Sequence, residues 1–396
     1  MPRNIDVSLF KRMQAIRRKL HRQPELAYQE YKTAEVICQE LKRLGIDHQR
    51  DIGGTGVRAV LGRNNGPCVA LRADMDALPV SEETGLSFVS TNPGVMHACG
   101  HDGHVAMLLG AAEILKKTRL DGQVVLLFQP AEESGNGAVA MIEAGSLKDV
   151  SMIFSGHLDT HYPVGTLSVD QGLICSYTDP FTLTVHGQGG HAAKPHEAID
   201  AVVIASSLVM NMQTLVSRYI NPAHAAVVTV GHFTAGTVHN VIAQQAVLEG
   251  TIRSGHPDTR EQIIKGLRRL IRGIAEMSNA RIELVLHDGL PAVINDETTT
   301  MVAQKAAVVV VGSERVVSQE FPSLGGEDFA FYQQQIPGTM IRFGAAKENG
   351  AGPAHSGTFD FDENALSYGA NWLARVAGLG IEYLRHSGKE SGRSCL

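Results

Sequence analysis

The run "HACGHDGHV" at 97–105 places three histidines, one cysteine and one aspartate within the eight residues from His97 to His104. Imidazole and thiolate bind borderline divalent metals well, and carboxylates join them readily. Other runs finish in groups of the same kind. "CVALRADMD" ends in Asp74 and Asp76, "QVVLLFQPAEE" in Glu132 and Glu133, and "SMIFSGH" in His157. "GTMIRFGA" leads through "AKENGAGPAH" to His355. Singly, each has a plain structural explanation: a buried cysteine, a polar strand end, a carboxylate pair at a helix start. Jointly, Cys99, His101, Glu133, His157 and His355 would have to share one sheet edge by accident. These donors outnumber what one tetrahedral ion takes, so they suit two metals roughly 3.5–4 Å apart. Imidazole and thiolate favour zinc or nickel, and the carboxylate admits manganese. Glu132 sits beside a ligand and is not needed as one, which leaves it free to act as general base. A Cys–His dyad for nucleophilic catalysis is the competing chemistry. Against it, Cys99 and His101 are separated by a single residue, and the adjoining carboxylates suit a metal better.

Gathering these groups requires strands that end on a common edge. Residues 6–45 carry a helical period broken by Pro24, which predicts two helices ending at Gly45. Strands are expected at 56–62, 68–74, 123–129 and 151–157, with helices at 104–117 and 137–145. This alternation predicts an α/β sheet, largely parallel and covered by helices on both faces. Ligands of such sheets bind outside the carboxyl ends of the strands. From about residue 180 the pattern changes. Strands starting at 180 and spanning 225–233, 246–253 and 281–287, with helices at 200–216 and 259–278, predict a small α+β unit. After Asn295 the alternation resumes and closes with a helix from 362 to about 385. The expected organisation is a catalytic domain of residues 1–179 and 291–396, interrupted by an inserted domain at 180–290. The last eleven residues, "HSGKESGRSCL", read as a frayed tail.

Composition narrows the class. The 396 residues are 43% hydrophobic and 19% charged, ordinary for a globular protein. A net charge of -6 without a lysine or arginine block gives no reason to expect a nucleic-acid or membrane-surface partner. The five cysteines are odd in number and widely spaced, so a reducing cytoplasm is expected rather than a disulfide framework. The N-terminal run shows no signal-peptide pattern, and no apolar stretch is expected to approach the roughly 20 residues that span a bilayer.

Ten motifs along nearly the whole chain carry a resemblance. They are "RRKLHRQPEL" (17–26), "RADMDALP" (72–79), "HACGHDGH" (97–104), "QPAEE" (129–133), "FSGHLDTHYPVG" (154–165), "GQGGHAAKPH" (187–196), "HNVIA" (239–243), "EGTIR" (249–253), "GGEDF" (325–329) and "AHSGTFDFDE" (354–363). Together they resemble the dinuclear metallopeptidases that include aminoacylase and bacterial glutamate carboxypeptidase. Within these, the likeness is to the amidohydrolase branch of hippurate hydrolases, N-acyl-amino-acid deacylases and auxin-conjugate hydrolases. The resemblance implies two divalent ions per chain, zinc or manganese first and nickel or cobalt as alternatives. Their ligands would be Cys99, His101, Glu133, His157 and His355, with Cys99 bridging and Glu132 as the base. It also implies that the inserted unit is a ferredoxin-like lid and dimerisation domain of four strands and two helices. From that domain His191 would reach the partner subunit's active site, and Asn240 and Arg253 would hold the substrate carboxylate. The implied reaction is hydrolysis of the amide bond of a small N-acyl amino acid, in a homodimer or a dimer-based oligomer. A dipeptidase or carboxypeptidase on the same site, or a non-catalytic metal-binding dimer, are the alternatives.

Overall fold

The computed structural model describes residues 6–63, 66–348 and 350–391. The chain divides into two compact units. The first comprises Met1–Ile174, Val293–Phe321 and Glu327–Leu396, and the second Cys175–Ala292 and Pro322–Gly326.

The first unit is built on an eight-stranded sheet. Its strands are β1 (Asp47–Ile52), β2 (Gly56–Gly62), β3 (Cys68–Asp74), β4 (Gln123–Gln129), β5 (Met152–Pro163), β6 (Leu167–Ser168), β15 (Val316–Val317) and β16 (Gly338–Ala346). Their order is β1-β2-β4-β3-β5-β16-β6-β15. A small separate pair joins β7 (Gly172–Cys175) to β14 (Val293–Asn295). The sheet is mixed rather than largely parallel. β4, β3, β5 and β16 form a parallel centre, whereas β1, β2 and β6 join antiparallel. No helix separates β1 from β2, and a short link permits only an antiparallel hairpin. The central strand β3 is buried along its whole length, which explains its unbroken apolar run "CVAL".

Helices α1 (Val7–Arg22), α2 (Tyr31–Arg43), α3 (His101–Lys116), α4 (Gly137–Glu143), α7 (Glu297–Val311), α8 (Phe329–Gln333) and α9 (Ala365–Ser391) complete this unit. α3 packs against α1 and α9, and α9 against α7. α3 is nearly enclosed, with Val105, Ala106, Met107, Leu108 and Leu109 all buried, because it lies between helices as well as over the sheet. The C-terminal helix continues to Ser391, so part of the expected tail is helical; residues 392–396, with Cys395, lie outside the described residues.

The second unit runs β8 (Tyr177–His186), β9 (Gly190–His191), α5 (Ala201–Thr214), β10 (Ala226–Ala235), β11 (Val241–Ile242), β12 (Gln245–Ser254), α6 (Pro257–Ser278) and β13 (Arg281–Leu286). Four strands form an antiparallel sheet in the order β10-β12-β8-β13, with β9 and β11 paired beside it. Phe181, Leu183 and Val185 on β8 alternate inward to meet Ala205, Leu208 and Met212 on α5, and Leu267 and Ile271 on α6. Among the described residues one helical stretch, Ala201–Tyr219, has the length and apolarity to cross a membrane, contrary to expectation. One face of it, including Ile204, Leu208, Met212 and Leu215, is core of this unit.

Candidate metal centre

The carboxyl ends of the parallel strands carry the site. β3 runs into Asp74 and Asp76, and β4 runs through Pro130 into Glu132 and Glu133. His157 lies within β5, which continues six residues further to Pro163. His101 opens α3 rather than preceding it. Gly100 before it has φ +89°, a conformation that suits glycine and lets the chain turn directly into the helix. His355 also has a positive φ, +68°, and its N–H donates to the Ala98 carbonyl at 2.8 Å, beside Cys99.

The structure brings together all six metal-site residues expected in this unit. Donor atoms of Cys99, His101 and His157 lie within 4.8 Å of one another, as do those of Cys99, Glu133 and His355, and of His101, Glu132 and Glu133. Cys99 Sγ is 3.3 Å from His157 Nε2, and His355 Nε2 is 3.4 Å from Glu133 Oε1. His101 Nε2 stands 3.9 Å from both Glu133 Oε1 and Glu132 Oε2. His101 Nε2 and Glu133 Oε1 are buried without a hydrogen-bond partner. Buried polar atoms are ordinarily paired. Two unpaired donors facing one space, among thiol and imidazole groups, fit a bound cation.

The opposite edges of the rings are tied down. His101 Nδ1 meets the Asp76 carbonyl at 3.0 Å and Asp76 Oδ1 at 3.2 Å, which leaves Nε2 to face the centre. Asp76 Oδ2 accepts the Glu133 N–H at 2.9 Å. His157 Nδ1 is 2.7 Å from the Leu158 carbonyl. His104 Nε2 accepts the Leu158 N–H, and its Nδ1 pairs with Asp74. The sequence offered Asp74 and Asp76 as strand-end groups without a role and left His104 unassigned. Their part is to orient imidazoles, and the signal lay in their spacing within "RADMD" and "HDGH".

A second layer supports Glu132. The Arg72 guanidinium, fully buried, donates to Gln129 Oε1 (2.8 Å), Asp74 Oδ2 (2.6 Å), Glu327 Oε1 (3.1 Å) and Asp328 Oδ1 (2.9 Å). Glu132, Glu327 and Asp328 lie together at its edge. This gives the "ED" of "GGEDF" a place that the motif alone did not supply. Burial raises the Glu132 carboxyl well above the usual range, and Glu327, Asp328 and Glu133 add to the effect. Burial likewise pushes the Cys99 thiol up to about 12. The His157 ring is driven well below its usual value by burial and by His104.

The other three expected residues lie in the second unit. The β9–β11 pair sets Val241 opposite His191, and the Ala192 N–H donates to the Asn240 carbonyl at 3.1 Å, so His191 and Asn240 are neighbours. Arg253 is near the far end of β12, opposite Thr178 and Val227. The Gln245 end of β12 adjoins the β9–β11 pair through the Gly187 N–H and the Gln244 carbonyl. At ~3.3 Å per residue, roughly 25 Å of strand separates Arg253 from His191 and Asn240.

The model of the peptidase family M20/M25/M40 matches residues 70–378. A Bacillus subtilis protein named N-acetylcysteine deacetylase is 39% identical over 385 residues, covering 96% of this chain and 100% of that protein. Thermostable carboxypeptidase 1 of Saccharolobus solfataricus is 38% identical, covering 90% of this chain and 92% of its own. Among solved structures, the Bacillus subtilis YXEP protein, described as a dinuclear metal binding peptidase from the M20 family, superposes with a TM-score of 0.84. It is 37% identical and covers 95% of this chain and 99% of its own.

Proposed function

This chain belongs to the peptidase family M20/M25/M40 and is a metal-dependent hydrolase, and from that premise we propose that it cleaves the amide bond of small N-acyl amino acids at a two-metal centre. The observation that carries the reading is that Cys99 is common to two of the donor groups, one with His101 and His157, the other with Glu133 and His355. Cys99, His101, Glu133, His157 and His355 would hold the two ions, with Cys99 available to both. The donor set suits zinc or manganese, with nickel and cobalt as alternatives.

When bound, divalent ions there supply Lewis acidity at the scissile carbonyl and acidify the attacking water. Glu132, at 3.9 Å from His101 Nε2, takes the proton from that water and returns it to the leaving amine. His191 donates to the developing oxyanion, and Asn240 and Arg253 hold the substrate carboxylate. A small acyl amino acid cannot span ~25 Å of strand, so His191 and Asn240 of one chain meet a substrate that Arg253 of another chain holds. That separation supports a dimer, with the second unit as lid and dimerisation domain. A cytoplasmic setting accords with the buried, free state of Cys38, Cys68 and Cys99.

A carboxypeptidase reaction on the same centre is the second reading, favoured by the Saccharolobus relative. The two separate by assay. The proposed function expects purified, metal-loaded protein to release free amino acid from N-acetyl and N-benzoyl amino acids faster than from dipeptides with a free amino terminus. Faster cleavage of the dipeptides selects the second reading, and no cleavage of either class refutes both.

A further inference from the structure

We propose that Glu30 is a positioning residue for the paired carboxylates: it clamps the left-handed Ala131 turn from which Glu132 and Glu133 are aimed. This role rests on the functions assigned above to those two glutamates.

Ala131 links the end of β4 to the pair, is fully buried, and has φ +55°. Residues with a Cβ rarely adopt that conformation, and alanine has no side-chain hydrogen bond with which to hold it. The restraint comes from outside. The Ala131 N–H donates to Glu30 Oε1 at 2.9 Å. Its carbonyl accepts from the Gly137 N–H at 3.2 Å and from Ser134 Oγ at 3.1 Å. Gly137 has to be glycine, because a Cβ there would lie 1.7 Å from the Pro130 carbonyl oxygen.

Glu30 is placed to act as a fixed post. It stands at the start of α2, wholly buried, and its backbone carbonyl accepts the Ala34 N–H at 2.9 Å. Its second oxygen accepts the Thr55 hydroxyl at 2.5 Å. A buried carboxylate is costly unless its oxygens are hydrogen-bonded, and each of these has a donor. Beyond the turn, the Glu133 N–H is held by Asp76. Glu30 thus fixes the entrance to residues 131–133 and Asp76 fixes the exit, so that adjacent side chains can take different tasks. Tyr28, from the same loop, adds a hydroxyl bond to Asn136 on the far side of the turn, at 2.9 Å.

The test pairs loss of the clamp with removal of the strain it opposes. Glu30→Ala should lower kcat on the order of 10- to 100-fold, since ångström-scale misplacement of catalytic groups costs that much. Glu30→Gln should recover most of that loss, because its amide oxygen can still accept from Ala131 while Thr55 turns to accept from its amide nitrogen. Glycine adopts a positive φ freely. Glu30→Ala/Ala131→Gly should therefore be more active than Glu30→Ala alone, and crystal structures should show residue 131 back in the left-handed region. A buried glutamate with a merely structural role would not be rescued at a neighbouring backbone position. Where Glu30→Ala fails to fold, Glu30→Asp keeps the charge, withdraws the oxygen, and should show the same rescue. Wild-type turnover in Glu30→Ala, or a double variant no better than its parent, overturns the proposal. Should the wild type hydrolyse no acyl amino acid, the functional reading fails instead, and φ at residue 131 in the variant structures still decides whether the clamp exists.

Discussion

Cys99 and the glutamate pair show how environment divides labour among similar groups. Burial pushes the Cys99 thiol up to about 12, yet a thiolate is the ligand that metals take. With Cys99 as the proposed ligand, metal uptake should release its proton, and affinity should rise with pH and fall as the medium is acidified. Cys38 and Cys68 are equally free and buried but lie outside the donor groups. Elemental analysis should accordingly find two divalent ions per wild-type chain and per Cys38→Ala chain, and fewer in Cys99→Ala. A chelator should abolish hydrolysis, with recovery on adding metal back. Glu132 and Glu133 separate by the same measurements. Glu132→Gln should keep its metal and lose turnover by about 10²–10⁴-fold, the range for a general acid–base group. Glu133→Gln should lose metal. If instead the first variant is metal-poor and the second metal-replete, the two roles are exchanged.

Helices and strands place these residues, and α1 does so from behind the centre. Arg17, buried, donates to Asp102 Oδ2 at 3.0 Å and Asp360 Oδ1 at 2.9 Å. His21 bridges Asp102 (2.8 Å) and Glu82 (3.2 Å). Asp102 follows His101 in the first turn of α3, so this network fixes the helix that carries a proposed ligand. Burial opposes the His21 cation, but the hydrogen bonds to Asp102 and Glu82 outweigh it and raise the ring to about 9, while Glu82 is lowered to about 2. The raised histidine stabilises the fold fully below its ordinary value near 6.5 and ceases to do so as pH rises through about 9. The lowered glutamate contributes above its ordinary range and is lost only as pH falls through about 2. His21→Gln should therefore cost on the order of 1–3 kcal/mol in urea unfolding at pH 6, and much less at pH 9.5. An equal cost at both would show that His21 is not charged. At this scale the sequence was readable where burial is two-sided: β2, β3 and β4 have the boundaries that their apolar runs predict. It was silent where burial is weak. β1, "DHQRDI", is an edge strand with an exposed, polar pattern and offered no period. β5 outran its apolar run because β16 pairs with it through the polar residues as far as Pro163. The start of α3 was missed because its first turn, His101 to His104, is polar or glycine rather than apolar. The donors could be found, since metal-binding side chains announce themselves by type. Glu30 could not, because its work is done through a backbone angle at Ala131 that no residue pattern encodes.

At the scale of the whole molecule the question is whether one chain suffices. α5 buries one face in the core of the second unit but exposes Val203 by 63% and Met210 by 70%, seven residues apart and so on one side of the helix. Beside it β10 is an edge of the four-stranded sheet, with Phe233 exposed. An apolar helix flank next to an open strand edge suits pairing with a second copy. Val203→Asp together with Met210→Asp should yield a monomer by light scattering, and hydrolysis should fall with the loss of the dimer although the metal centre is untouched. Mixing then tests which chain supplies His191. His191→Ala and Glu132→Gln should each be nearly inactive alone. In a heterodimer of the two, a histidine acting across the interface leaves one site with both defects and the other with none, so up to half of a normal dimer's activity returns. A histidine acting within its own chain gives every site one defect, and the heterodimer stays as inactive as its parents. Arg253→Ala supplies an independent reading of the same geometry. It should raise KM for N-acyl amino acids far more than for their carboxamides, which have no carboxylate to lose. Because Arg253 sits at the opposite end of β12 from His191, pairing Arg253→Ala with His191→Ala in heterodimers should restore a whole site only if the two residues reach one substrate from different chains. Heterodimers of that pair would then carry one intact site and one doubly defective site, whereas two residues serving from the same chain would leave one defect in each site, and no activity would return.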